Sequence, residues 1–316
     1  MSTSLPRVSV ILPMRNADAF VEATLKSILL EVTVALEVVV INDLSTDCSL
    51  ERVLSFRDSR IRIIDGLGAG ISAALNLGLA AARGNIVMRC DADDLYPVSR
   101  IRDQVAWLDS NQDFAAVCGG FATLDGAGRL VAKLATGETE EDITEELKSG
   151  NTRTSFCSYA VRKSAIDRVG GFRAYFETAE DIDFQLRLAN VCRVMYLPQV
   201  VYQYRLHETS ITHTQSNSKR IFFEETARAF QVQRRMDGQD DLQRGYPPTV
   251  PDGGAGKPGG AAQQIGGMLM GAAWRAHQGG NKLEAIVLGL RALTRMPFDV
   301  TVWRSVVALI GKSAKH

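Results

Sequence analysis

The sequence predicts an α/β fold built on a parallel sheet, and three observations carry that expectation. From residue 8 to 120, short β-rich runs alternate with segments of helical period, as strands joined by crossover helices do. Residues 71–83 place Ile71, Leu75, Leu79 and Ala82 on one helical face. Acidic residues collect where strands end, the edge at which open parallel sheets bind ligands. In chain order, strands are predicted at Val8–Leu12, Leu36–Ile41, Ile61–Ile64, Ile86–Cys90 and Ala115–Gly119, with helices at Ala19–Leu30, Cys48–Phe56 and Ile71–Arg83 among them. Pro97 is expected to open a fourth helix, since its missing N–H costs nothing in a first turn. Val98, Ile101, Val105 and Leu108 supply its apolar stripe.

The alternation stops after Gly120. Phe121–Leu124 and Leu130–Lys133 flank Asp125-Gly126-Ala127-Gly128, which reads as a hairpin loop. An α+β half is expected beyond it: an acidic helix at Glu140–Lys148, a strand at Phe156–Val161, a helix at Lys163–Val169, the turn Gly170-Gly171, a helix at Glu180–Ala189, and strands at Val191–Leu197 and Val200–Arg205. Phe222–Met236 reads as a helix. Residues 237–264, dense in Gly, Pro, Asp and Gln, hold too little apolar surface to bury a core and read as a flexible linker. Helices follow at Ile265–His277, Leu283–Thr294 and Val300–Ile310. The expected domains are residues 1–215, with halves of about 1–120 and 121–215, then 216–264 as helix and linker, then a helical extension over 265–316.

Lys plus Arg number 36 and Asp plus Glu 36, so the formal charge is zero and a strongly basic nucleic-acid binder is disfavoured. With 46% hydrophobic residues a full core can be buried, which excludes global disorder. Apolar stretches such as Val38–Ile41 fall far short of the roughly 18 residues of a membrane span, and the N-terminus lacks a signal h-region. A cytoplasmic chain is expected. Cys48, Cys90, Cys118, Cys157 and Cys192 contain no CxxC pair and suit reduced buried thiols. The four histidines show no paired metal-ligand spacing.

The second strand runs into Asn42-Asp43-Leu44-Ser45-Thr46-Asp47 and the fourth into Asp91-Ala92-Asp93-Asp94. Residues two apart in an extended segment share a face, so Asp91 and Asp93 are expected to point into one site. Two carboxylates there suit Mg²⁺ or Mn²⁺ completed by substrate phosphates and water. Asp47 and Asp94 read instead as turn or cap residues.

These motifs together resemble the family 2 glycosyltransferases. The likeness rests on Pro13-x-x-Asn16, on Asn42-Asp43-x-Ser45-Thr46-Asp47, and on Ala74-x-Asn76-x-Gly78 through Arg89-x-Asp91-Ala92-Asp93-Asp94. It continues through Arg100 and Gln104, Val169-Gly170-Gly171-Phe172, Glu180-Asp181-x-Asp183 and Tyr204-Arg205-x-His207, spanning about residues 7 to 213. The resemblance implies a GT-A fold, a Rossmann-like nucleotide-binding half joined to an acceptor half, and inverting transfer of a sugar from a nucleotide diphosphate. It implies that Asp43 accepts a base N–H, usually of uracil, that Pro13 and Asn16 lie beside the nucleotide, that Asp91 contacts ribose, that Asp93 is the metal ligand, and that Asp181 is the catalytic base. Bacterial relatives of this kind build capsule, exopolysaccharide or lipopolysaccharide, so the implied partners are a UDP-sugar and a glycan or lipid-linked acceptor. Where relatives often carry His-Pro-Ser before the Phe156 strand, this chain has Arg153-Thr154-Ser155.

Other residues stay open. By spacing alone Asp181 is as well explained by a capping box begun at Thr178 as by catalysis, and the resemblance decides for catalysis, with Glu180 beside it. Asp183 and Arg187 fit a helical i, i+4 ion pair. Arg89, Arg100 and Arg205 are each a phosphate contact or a packing residue. His207 is either a structural histidine or a residue that approaches the donor phosphates or the acceptor. Gly68-x-Gly70-x-x-Ala73 has the form of a dinucleotide fingerprint, which makes an NAD(P)-dependent oxidoreductase the alternative enzyme, and a catalytically inactive nucleotide- or glycan-binding relative is the non-enzymatic one. Finally, Trp303, Val306, Val307 and Ile310 make an apolar face in a basic segment, suited either to neighbouring helices or to peripheral contact with a membrane.

Overall fold

A computed structural model describes residues 5–134, 138–207, 217–251 and 260–312. The predicted alternation is present: β1 (Val8–Met14), α1 (Val21–Leu29), β2 (Leu36–Asn42), α2 (Ser49–Ser55), β3 (Ile61–Asp65), α3 (Ile71–Ala81) and β4 (Ile86–Arg89) follow in order. Then come α4 (Arg100–Ser110), β5 (Phe114–Asp125), β6 (Leu130–Leu134), β7 (Glu141–Asp142), α5 (Thr144–Lys148), β8 (Ala160–Arg162), α6 (Lys163–Val169), α7 (Glu180–Ala189) and β9 (Arg193–Leu206). The helices α8 (Asn217–Asp237), α9 (Ala261–Gln278), α10 (Lys282–Arg295) and α11 (Val300–Gly311) complete the described elements.

The sheet order is β3-β2-β1-β4-β8-β5-β9-β7, with β6 paired to β5. β1 is parallel to β2 on one side and β4 on the other, with Val10 opposite both Val38 and Met88, and β4 meets β8 antiparallel. The chain therefore changes winding direction at β1, and the ends of β1 and β4 flank the crevice where such sheets take ligands. Period-two alternation sends Val10, Leu12, Val38 and Val40 to a layer with Leu25 and Ile28 of α1, while Ile11, Val39 and Ile41 face Leu75 of α3. Gly78 permits the second contact, since a Cβ there would lie 2.3 Å from Ile11 Cγ2.

Several predicted elements take a different form. Residues 97–99 are a turn, with Ser99 left-handed and Val98 exposed, and the buried Arg100 starts α4. The Leu95–Gln203 bridge keeps the preceding chain extended, so the helix cannot begin at Pro97. Phe156–Ser158 is a 3₁₀ turn because Ser155 Oγ accepts the Cys157 N–H, and only Ala160–Arg162 is strand. The two strands expected at 191–205 are one, with Pro198 past the short β7 on that edge. Glu141 and Asp142 pair with β9 instead of opening the acidic helix.

The described part of the expected linker is also structured. Asp240 is fully buried against Arg173 and Arg234, and Leu242 and Val250 pack against Phe176, Phe223 and Phe230. Ion pairing supplies there what apolar content lacks. Residues 252–259 lie outside the described residues.

The backbone separates into two compact units, Met1–Phe121 with Ala135–Tyr204 and Ser218–Gly253, and Ala122–Leu134 with Arg205–Asn217 and Gly254–His316. In α11 the predicted face divides: Val306 turns inward with Val302 and Leu309, while Trp303, Val307 and Ile310 are exposed. All five cysteines are free thiols, and Cys48, contrary to expectation, is exposed. No described helix is long and apolar enough to cross a membrane.

Candidate active site

Three strand ends build the site. Cys90 N–H donates to Ile11 O, so Pro13, two residues on, faces the same side beyond the end of β4, where its missing N–H leaves no ladder bond unmade. Asn16 adopts a left-handed φ of 51° and its Oδ1 accepts the Thr46 N–H at 2.8 Å, tying the loop after β1 to the loop after β2. Asp47 has the turn role its sequence suggested, accepting N–H groups from Ser49 and Asp18. Asp43 is buried, and its Oδ1 accepts the Gly68 N–H at 2.7 Å. Gly66 makes room for that carboxylate, since a Cβ there would lie 2.6 Å from Asp43 Oδ1. The Gly68–Gly70 loop, formally a dinucleotide fingerprint, thus orients Asp43 and leads into α3.

Asp91-Ala92-Asp93-Asp94 is not extended. Asp94 N–H donates to Asp91 O at 3.1 Å, closing a turn with Asp93 half-buried at its third position. Asp91 and Asp93 therefore do not share a strand face. Asp94 turns inward with no exposure and accepts the Tyr202 hydroxyl proton at 2.5 Å, and Tyr202 Oη in turn accepts the Asp91 N–H at 3.1 Å. Burial and the neighbouring Asp94 push the Tyr202 phenol well above its ordinary pKa, so it stays a donor.

Arg89 joins this turn to α7. Its Nε and Nη2 donate to the two oxygens of Asp91 at 2.7 and 3.2 Å, and Nη1 donates to Glu180 Oε1 at 2.9 Å. Cys157, its thiol pushed up by burial, lies 3.5 Å from Asp91 Oδ2. Burial raises the Glu180 carboxyl above its usual range, with Arg89 opposing and Asp181 adding to the rise. Ala179, left-handed at φ 59°, precedes Glu180 and Asp181, and no side chain caps this helix. The capping box from Thr178 is therefore absent. Asp181 Oδ2 faces the Phe156 N–H at 3.4 Å and Ser155 Oγ at 3.5 Å.

One turn along α7, the fully buried Asp183 accepts from Arg187 Nε at 2.8 Å and from Arg173 Nε at 2.9 Å, while Arg173 Nη1 reaches Asp240 at 2.7 Å. The expected i, i+4 pair belongs to this larger network, which anchors α7 to α8 and the chain after it. Arg100 is buried over the Tyr96 ring and donates to Cys157 O at 2.6 Å and Gln104 Oε1 at 3.0 Å, contacts that account for it as a packing residue. Arg205 donates to Gly126 O at 3.3 Å, within the second unit. His207, half-buried, follows the end of β9. Sequence reasoning did not single out Tyr202, the approach of Ser155 to Asp181 or the reach of Arg89 to Glu180. Each is a contact across more than 25 residues, and no local spacing signals it.

Among the described residues no group of three or more His, Cys, Asp or Glu side chains is placed to hold a metal. A hard cation held mainly by substrate phosphates and water needs only one or two carboxylates. Asp93 offers a carboxylate of the donor type that limited demand requires.

The chain is similar to known glycosyltransferases. The chain is 30% identical over 219 residues to the uncharacterized glycosyltransferase EpsJ of Bacillus subtilis, a match spanning 66% of this chain and 63% of EpsJ. It is 27% identical over 222 residues to the chondroitin synthase of Pasteurella multocida, over 69% of this chain and 23% of that protein. The fold is GT-A: a crystal structure of S. aureus TarS residues 1–349 in complex with UDP-GlcNAc superposes with a TM-score of 0.61 at 18% identity, covering 96% of this chain and 84% of that one. Residues 9–179, from β1 to the approach of α7, match glycosyl transferase family 2. The strand-end acids lie within the matched residues and the α7 acids just beyond them, and the chain belongs to glycosyl transferase family 2.

Proposed function

We propose that this chain transfers a sugar from a UDP-sugar, with inversion, to a hydroxyl of a glycan or lipid-linked acceptor in the synthesis of exopolysaccharide, capsule or lipopolysaccharide. The observation that carries the reading is the bridge Asp91–Arg89–Glu180, which joins the strand-end turn to the helix bearing Asp181. The names of the chondroitin synthase relative and of the UDP-GlcNAc complex of TarS support the choice of polysaccharide and of UDP.

In this reading Asp43 accepts the uracil N–H, with its carboxylate fixed by Gly68 N–H, while Pro13 and Asn16 line the base and Asp91 the ribose. Asp181 takes the proton of the acceptor hydroxyl as that oxygen attacks the anomeric carbon and the diphosphate leaves from the opposite face. Glu180, held by Arg89, fixes the start of α7 beside it. Mg²⁺ or Mn²⁺ at Asp93, when bound, stabilises the departing diphosphate as a Lewis acid. The reading includes a cytoplasmic location with peripheral contact at the inner face of the cell membrane.

The test is Asp181→Asn. Calorimetry is expected to find UDP affinity retained, while turnover of the donor falls by on the order of 10² to 10⁴. Near-normal turnover in the folded variant would place the base elsewhere.

A further inference from the structure

The helices α9, α10 and α11 pack together about Ala273, Ala285 and Leu309, and α11 spends one side, Val302, Val306 and Leu309, on that packing. Its other side exposes Thr301 and Arg304 but is not the uniformly polar face that water favours. Val300, Trp303, Val307 and Ile310, at i, i+3, i+7 and i+10, are all exposed, Val307 by 64%, and Phe298 just before them is 95% exposed. On α10, Leu283, Val287 and Leu290, at i, i+4 and i+7, are exposed in the same way.

The α10 stripe leads into a cavity. Thr294 continues the i, i+4, i+7, i+11 row from Leu283, and with Arg291 and Arg295 it lines a cavity of about 470 Å³. Arg129 and Asp125 complete its polar wall, and Val131 and Leu269 contribute apolar surface. Asp125 is held by Arg129 Nη2 at 2.8 Å and by Arg295, while Arg291 donates to Leu130 O at 2.6 Å. Two guanidinium groups pair with the one carboxylate and a third lines the same cavity, leaving an excess positive charge suited to a phosphate. All of these residues belong to the second compact unit.

We propose that this cavity is a phosphate site, and that the exposed stripes of α10 and α11 seat it on an anionic phospholipid surface whose headgroup phosphates enter it. The charge favours this occupant over a second copy of the chain. Residues 282–316 hold six Lys or Arg (Lys282, Arg291, Arg295, Arg304, Lys312, Lys315) against Glu284 and Asp299. A twofold contact through this region would set like charge against like, whereas an anionic surface pairs it and takes the aromatic and aliphatic groups at headgroup depth. The inference deepens the peripheral contact of the proposed function and is independent of the transfer chemistry.

Co-sedimentation of the full chain with vesicles of phosphatidylcholine alone, and of phosphatidylcholine with phosphatidylglycerol, tests it. Binding is expected only to the anionic vesicles, weakening as salt rises and competed by inorganic pyrophosphate. Arg291→Gln should lower vesicle affinity about fivefold. Val307→Ser, at an exposed position, should lower it severalfold while leaving UDP affinity unchanged. Equal binding to both vesicle types, no binding to either, or full binding by Arg291→Gln overturns the proposal. Pyrophosphate binding without vesicle binding would assign the cavity to free phosphates and overturn the surface role. Self-association abolished by Val307→Ser would assign the stripes to a second copy and overturn it too.

Discussion

Replacing Asp93 and Asp94 by alanine in turn should give opposite profiles, although the two residues are adjacent. The Asp94 carboxylate is wholly buried and accepts the Tyr202 hydroxyl proton at 2.5 Å, and Tyr202 is 2% exposed. Asp94→Ala therefore leaves a buried phenol without this acceptor. An unsatisfied buried group costs about 1–3 kcal/mol, so a loss of ~2 kcal/mol is expected. For a cooperative unit of this size that corresponds to a fall in melting temperature of roughly 4–8 °C. Tyr202 also receives the Asp91 N–H, so the turn itself should loosen and donor affinity should fall modestly. Asp93 is half-buried at the third position of the turn, whereas Asp94 is wholly buried, so Asp93→Ala should cost less stability than Asp94→Ala. It should nonetheless abolish the part of UDP binding that requires Mn²⁺. Thermal unfolding of both variants, followed by calorimetric titration of UDP with and without Mn²⁺, separates the two effects. An Asp94→Ala protein as stable as the parent would refute the buried-acceptor argument. Loss of Mn²⁺-dependent binding in Asp94→Ala, with Asp93→Ala unaffected, would refute the placement of the metal at Asp93.

Gly66→Ala should raise the donor KM with little change in kcat, because the added Cβ would lie 2.6 Å from Asp43 Oδ1 and must displace a group placed for ground-state binding; steady-state kinetics with a UDP-sugar reads this. Arg89→Lys should lower kcat/KM on the order of tenfold with the fold retained, since one ammonium cannot hold both Asp91 oxygens and Glu180 at once; unchanged kinetics would deny the bridge its positioning role. Burial alone would raise the Asp240 carboxyl, but the Gln243 N–H, Arg173 and Arg234 outweigh it and hold the group below the usual carboxylate range. Its folded pKa being depressed, its stabilisation is present above the unfolded value of about 4 and is lost as pH falls through the folded value. The melting temperatures of parent and Asp240→Asn should therefore differ most near neutrality and converge in acid, and a gap that persists unchanged below that range would contradict the assignment.

Much of the first half of this protein is determined by its sequence alone. β1, α1, β2, α2, β3, α3 and β4 lie within one or two residues of their expected places, because each is fixed by a local period of 2 or 3.6 and by burial on a known face. The position of Asn16, Asp43 and Asp91 just past strand ends follows from the same periodicity. The motif order added the family, since it spans the strand ends and α7 together.

Tertiary structure decided what local spacing could not. Asp91 to Asp94 close a turn because Tyr202, more than a hundred residues away, offers Asp94 a buried partner. Residues 238–251 are packed because Asp240 meets Arg173 and Arg234, although their composition reads as a linker. Asp181 is released from capping because Ala179 turns left-handed and Ser155 and Phe156 lie opposite. Spacing along a helix cannot tell which of two apolar faces has neighbours, so only the fold separates Val306 from Val307. In each case the deciding energy is a pairing of polar or apolar groups distant in sequence, and that pairing exists only once the backbone has brought them together.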